Sequence, residues 1–212
     1  MDEHRHDDGD RRDPEPEENQ ATGNTLIERR PIAFAIGFEA GLGVLAVVLA
    51  LVFGLKPWLE IHFDLAALNL AVLGTLPLIA GLFWLARVRQ PWALELDRIV
   101  RQFILPLFRN APPGAIFIIA VLAGVCEELL FRGVIQAGLV GLVGPAGAVV
   151  LASLLFGLAH AVSKAYFWIT FAMGLYLGLI YQYTGNLLVP MLIHFLYDWF
   201  ALHYYLSRNK RG

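Results

Sequence analysis

The chain has 212 residues, of which 58% are hydrophobic and only 16% charged, with a formal net charge of −2. That is too apolar for an ordinary soluble domain of this length, and it points to an integral membrane protein. The charge balance also argues against a nucleic-acid partner, because the basic residues follow a membrane topology rather than a binding groove. A single cysteine, Cys126, rules out an intramolecular disulfide and reads as a small helix-packing residue.

In chain order, residues 1–30 come first and hold ten of the eighteen acidic and five of the sixteen basic residues. They contain no apolar run from which to build a core, which predicts a disordered acidic tail. The segment is unlike a secretory signal peptide, being long, acidic and without a small-residue cleavage pattern. The remainder, 31–212, is expected to form the membrane domain.

Six apolar segments follow, at 32–55, 65–86, 115–140, 145–162, 165–183 and 187–206. Each is close to the roughly 20 residues a helix needs to cross the hydrocarbon core. Between the second and third, Trp92, Leu96, Ile99, Val100, Phe103 and Leu107 recur at helical spacing opposite Glu95, Arg98 and Arg101, so 92–108 reads as an amphipathic helix lying in the interface. The expected fold is all-α: a polytopic bundle of about six transmembrane helices plus that interfacial helix. Fourteen of the sixteen basic residues then fall on one side, Lys56 on the other and Arg132 inside a span. The positive-inside rule places both termini in the cytoplasm.

The chemistry is concentrated in the last four spans. Glu127 and Glu128 lie in the middle of the third, where a carboxylate costs roughly 2.5–3.5 kcal/mol unless it faces protein or water. Residues four apart share a helical face, so Glu128 can pair with Arg132 while Glu127 points about 100° away and stays available. A buried ion bridge that only fixes helix register is the alternative. Phe156 and His160 share a face of the fourth span, and His194 and Asp198 share one of the sixth. A structural explanation must account for two histidines and three acids on three spans, while the other spans hold only Glu39 as an ionisable group.

Glu39 would either line the cavity or be satisfied by packing, and it takes no assigned role. His62 and His203 fall near span ends, where solvated positions suffice. Imidazoles beside carboxylates are the ingredients for activating water in a site shielded from bulk solvent. His160, His194 and Asp198 also match the donors that zinc accepts. There is no HExxH, and the residues leave metal dependence open.

Glu127-Glu128-Leu-Leu-Phe-Arg132 resembles the EExxxR motif of the CPBP family, Phe156-Gly-Leu-Ala-His160 its FxxxH motif, and His194-Phe-Leu-Tyr-Asp198 its HxxxN/D motif. The family comprises intramembrane proteases that include type II CAAX prenyl endopeptidases and abortive-infection or bacteriocin-immunity proteins. The likeness spans about 115–206, the expected catalytic core, and Thr184-Gly185-Asn186 before the last span is also similar. Residues 1–110 carry no family motif.

The resemblance implies that Glu127 activates water with help from His160, and that Arg132 holds Glu128. His194 and Asp198 would stabilise the oxyanion or, with His160, bind a metal such as zinc. Asp198 stands where the prenyl endopeptidases usually have asparagine, and an ionised aspartate cannot donate to an oxyanion. The expected activity is an intramembrane endopeptidase acting on a membrane-associated peptide or protein, lipidated CAAX-type or bacteriocin-like. A prokaryotic plasma membrane is its expected location. The alternatives are a non-catalytic immunity or scaffold protein and a proton-coupled transporter.

Overall fold

Helix α1 (Pro31–Val52) shows how the bundle is built. Ala46 and Ala50 are fully buried against Leu130, Phe131, Val134 and Phe156, whereas Phe38, Val44, Leu51 and Val52 face outward. Small residues let helix backbones approach, and the large apolar ones are left for lipid. The computed structural model describes residues 31–108, 111–112 and 114–209. Residues 1–30, read above as a disordered tail, lie outside the described residues, as do Arg109, Asn110, Pro113 and 210–212.

Helix α2 (Leu65–Leu85) is capped by Asp64, whose side chain accepts from the Ala67 amide at 2.7 Å. Helix α3 (Pro91–Ile99) passes through a π-helical turn, Val100–Ile104, into α4 (Leu105–Phe108). Helix α5 (Ala115–Glu128) continues through a π-helical stretch, Leu129–Gln136, into α6 (Ala137–Ala159). Helices α7 (Lys164–Thr184) and α8 (Leu188–Asn209) complete the chain. The described residues contain no strand.

Four helical segments are long and apolar enough to cross a membrane. One of them, Ala115–Ala159, has 45 residues. At 1.5 Å per residue that is roughly twice the ~30 Å hydrocarbon thickness. It is broken at Gly144 (φ 73°, ψ 169°), a left-handed backbone position suited to glycine, and Pro145 then opens the returning segment. The stretch therefore supplies two spans. Helix α8 has 22 residues, but His194, Asp198, His203 and Arg208 lower its hydropathy. With α8 counted, six spans result, as expected.

Two expectations need correction. The fourth span ends at Ala159 rather than 162, so His160 is the residue that caps it (φ −104°, ψ 11°) and not a position on its face. In the interfacial helix the buried side is Ala93, Leu96, Ile99, Leu105 and Phe108, while Phe103 is 62% exposed and Trp92 is also exposed. Leu96 and Ile99 lie inside as the spacing predicts, and beyond them the π turn at Val100–Ile104 shifts the stripe so that Leu105 and Phe108 rather than Phe103 face inward.

At the end of the bundle opposite α3, the 3-10 turn Pro57–Glu60 is tied down. Leu187 donates its amide to the Glu60 carbonyl at 2.7 Å, and Tyr181 hydrogen-bonds the Glu60 carboxylate. Asn186 accepts from the His62 amide (3.1 Å) and donates to the His62 carbonyl (2.8 Å).

Helices α5 and α8 approach closely at Gly124. A Cβ there would lie 2.7 Å from the Met191 carbonyl oxygen and 2.8 Å from the Phe195 amide nitrogen. Backbone atoms cannot swing aside, so Gly124→Ala is expected to destabilise the protein by about 1–3 kcal/mol through forced separation of the two helices. Chemical unfolding in detergent would measure the loss, and an unchanged midpoint would contradict this packing.

Candidate active site

The end of α5 brings two carboxylates into the bundle. Glu128 and Arg132 are both fully buried. Arg132 Nε lies 3.1 Å from Glu128 Oε2, an ion pair held by charge more than by hydrogen-bond alignment. The π-helical stretch begins immediately after Glu128, a deviation frequent at functional sites. Arg132 also donates from Nη2 to the Gly174 carbonyl on α7 at 3.0 Å and lies over the Phe156 ring, 4.7 Å from its centroid.

The other oxygen of Glu128 faces His194 Nδ1 at 2.9 Å, and His194 Nε2 lies 3.4 Å from Asp198 Oδ2. A continuous chain therefore runs Arg132–Glu128–His194–Asp198. Both ring nitrogens of His194 point at carboxylate oxygens, and an imidazolium that donates to each would satisfy them. Glu128 uses both its oxygens in this chain, so it has none free to act as a base.

Glu127 is differently placed. It is 5% exposed, and its Oε2 has no hydrogen-bond partner among the described residues. That oxygen lies 3.5 Å from His160 Nε2. His160 Nδ1 is 2.8 Å from the Phe156 carbonyl. A carbonyl only accepts, so Nδ1 carries the hydrogen and a neutral ring presents its Nε2 lone pair toward Glu127. Two acceptors then lie side by side, close enough for one water beside them to donate to both.

Phe156, 1% exposed, organises these groups. Its ring centroid is 4.6 Å from that of His160, 5.9 Å from that of His194 and 5.1 Å from that of Phe131. It thus packs against both histidines and against the Arg132 guanidinium.

All seven residues singled out from the sequence are brought together: Glu127 with His160, Glu128 with Arg132, His194 and Asp198, and Phe156 between them. The metal grouping is not reproduced. Among the described residues no three His, Cys, Asp or Glu side chains converge so as to hold a metal ion. As arranged, His160, His194 and Asp198 do not converge on one point.

Sequence reasoning gave no role to three further neighbours. Glu39 on α1 lies within electrostatic reach of Glu127, His194 and Asp198. Tyr166 on α7 and Tyr197 on α8 lie within reach of Asp198 and of each other. Glu39 left a signal, as the sole ionisable residue of its span. The tyrosines left none, because aromatic residues near span ends are common in any membrane protein.

This architecture defines the class: an integral membrane protein whose helices enclose a buried centre of carboxylates, histidines and an arginine. A family model described as type II CAAX prenyl endopeptidase Rce1-like matches residues 99–200. That stretch is a little under half of the chain and includes all three motifs, and the match supports membership of the CPBP family. It is similar to the Bacillus subtilis (strain 168) protein named "Uncharacterized protein YpbD", with 38% identity over 96 residues, covering 42% of this chain and 44% of that one. The match therefore spans less than half the length of that relative. No solved structure matches.

Proposed function

We propose that this protein is an intramembrane endopeptidase in which Glu127 and His160 activate the attacking water. The observation that carries this reading is the unpartnered Glu127 Oε2 facing His160 Nε2 at 3.5 Å. A water seated on both acceptors has its O–H bonds polarised toward them, with the nucleophilic lone pair left for the substrate carbonyl. As the water attacks, Glu127 takes a proton and a tetrahedral intermediate forms. The C–N bond then breaks, and the proton passes to the leaving amine.

In this reading Glu128 holds His194 in place, and His194 supplies positive charge toward the developing oxyanion. Asp198 orients His194 through Nε2 and makes no oxyanion hydrogen bond while ionised. No step is routed through a metal. The substrate is a membrane-associated peptide, either lipidated at a CAAX-type terminus or of bacteriocin type. A prokaryotic plasma membrane with both termini cytoplasmic fits Arg87, Arg89, Arg98, Arg101, Lys164 and Arg208 at one end of the spans and Lys56 at the other.

A proton relay across the membrane finds less support. Toward the Leu187 end, the core beside the site is built of Leu187, Met191 and Leu129, and the one titratable member of that cluster, Tyr181, is committed to Glu60.

The test is proteolysis in liposomes of a library of membrane-anchored and lipidated peptides, comparing wild type with His160→Ala, each with and without a chelator. The expected result is cleavage by wild type that is unchanged by chelator and reduced at least about 100-fold in the variant. Loss of activity on chelation would replace the glutamate-histidine scheme with a metal-dependent one. A wild type that cuts nothing across the library would overturn the protease reading.

A further inference from the structure

Gln136 closes the π-helical stretch and is 1% exposed, nearly as deeply buried as Glu128 and Arg132, yet none of the three motifs includes it. Its Nε2 donates to the Gly178 carbonyl on α7 at 3.1 Å. Its Oε1 is buried without a hydrogen-bond partner among the described residues. A half-satisfied amide in the bundle is a penalty, and an apolar side chain of similar shape would pack there without it. Stability alone therefore does not account for a glutamine at this position.

The bond repeats one made by Arg132, whose Nη2 donates to the Gly174 carbonyl at 3.0 Å. Donors four residues apart on one segment thus meet carbonyls four residues apart on the other, and both pairs are separated by 42 positions in the chain. The third and fifth spans run in the same direction, so the two bonds together set the height of α7 against the π-helical stretch. Among the described residues they are the only side-chain hydrogen bonds between these two segments.

The two glycines make this approach possible. A Cβ on Gly174 would lie 3.1 Å from both Cα and Cβ of Ser153 on α6, and one on Gly178 would lie 2.8 Å from Gln136 Oε1 and 3.3 Å from Val149 Cγ1. Along this glycine face the carbonyls of α7 are open to side-chain donors, which they accept on a second lone pair while keeping their helical partners. Packing of small residues fixes the height of a helix less sharply than a directional bond does.

Height matters because of Arg132. Its bond to Gly174 is the only hydrogen bond of the guanidinium among the described residues, since the ion pair with Glu128 is not aligned as one and Nε and Nη1 have no partner. The Gly174 carbonyl therefore decides where the guanidinium sits, the guanidinium holds Glu128, and Glu128 holds His194. We infer that Gln136 is a positioning residue for the reaction: its bond to Gly178 sets the height of α7, and through Gly174 and Arg132 it places the Glu128–His194 arm of the site. This rests on the protease reading and extends it to a residue outside the motifs.

The test is Gln136→Met in the full-length protein, which removes the donor and the unpartnered oxygen together while keeping an unbranched side chain of similar length. With a membrane-anchored peptide that wild type cleaves, kcat is expected to fall about tenfold while KM stays within a few-fold of wild type. The thermal midpoint in the same detergent is expected to equal or exceed that of wild type, because no buried polar atom of residue 136 is left unpaired. A residue with only a packing role would lose stability and activity together. Wild-type kcat in the variant, or a midpoint that falls along with kcat, would overturn the inference.

Nitrogen NMR of isotope-labelled histidine rings gives a readout that needs no turnover, with the signals assigned through His160→Gln and His194→Gln. Gln136→Met is expected to move the His194 ring signals, at the far end of the Arg132–Glu128 chain, and to move those of His160 much less. That pattern supports the positioning role even if wild type cleaves none of the peptides. Unmoved His194 signals overturn it, as does equal movement of both rings, the mark of a general loosening of the bundle.

Discussion

Glu127→Gln is expected to lower kcat by about 10²–10⁴-fold while KM stays within a few-fold of wild type. Glutamine keeps the volume and one acceptor oxygen, so the water and substrate still bind, but it cannot take the proton. The variant should also fold as well as wild type, because Oε2 of Glu127 has no hydrogen-bond partner to lose. Steady-state cleavage of a membrane-anchored peptide, with thermal unfolding in the same detergent, separates the two effects. A variant that retains wild-type kcat would remove Glu127 from the mechanism, and one that loses stability in proportion to activity would make its role structural.

Arg132→Ala is expected to have the largest effect on stability, about 3–5 kcal/mol. Arg132 and Glu128 are both fully buried, and removing the arginine strands a carboxylate whose other neighbour is His194. The Gly174 carbonyl on α7 loses its donor as well. Replacing both members of the pair, as in Glu128→Gln with Arg132→Met, should cost less than Arg132→Ala alone, because no uncompensated charge is left in the bundle. Chemical unfolding of the three proteins provides the comparison. A loss below about 1 kcal/mol for Arg132→Ala would mean that water reaches the pair and that the centre is not sealed from solvent.

Much of the site was legible because helical spacing is a local property. Glu128 and Arg132 are four residues apart, as are His194 and Asp198, and both pairs meet as that spacing predicts. The contact between Glu128 and His194 joins residues 66 apart in sequence, and only the packing of α5 on α8 at Gly124 creates it. His160 shows the limit of the periodic argument. It meets Glu127 from the end of a helix, where its Nδ1 reaches back to the Phe156 carbonyl, rather than from a helical face.

The π-helical turns were not legible for a related reason. Apolar periodicity over a short window cannot register one extra residue, and the insertion after Glu128 changes which side chains α6 and α7 receive.

By itself the sequence determined the class of protein, the six spans and the membership of the buried centre. Bilayer thickness sets the length of each apolar run, and ionisable groups cannot be scattered through hydrocarbon without a compensating partner. Tertiary structure alone decided the division of labour. Glu128 is committed to Arg132 and His194 while Glu127 keeps a free oxygen, and Glu39 reaches the centre from α1. Which carboxyl is free depends on the helices packed against it, and that information lies in contacts between segments far apart in the chain.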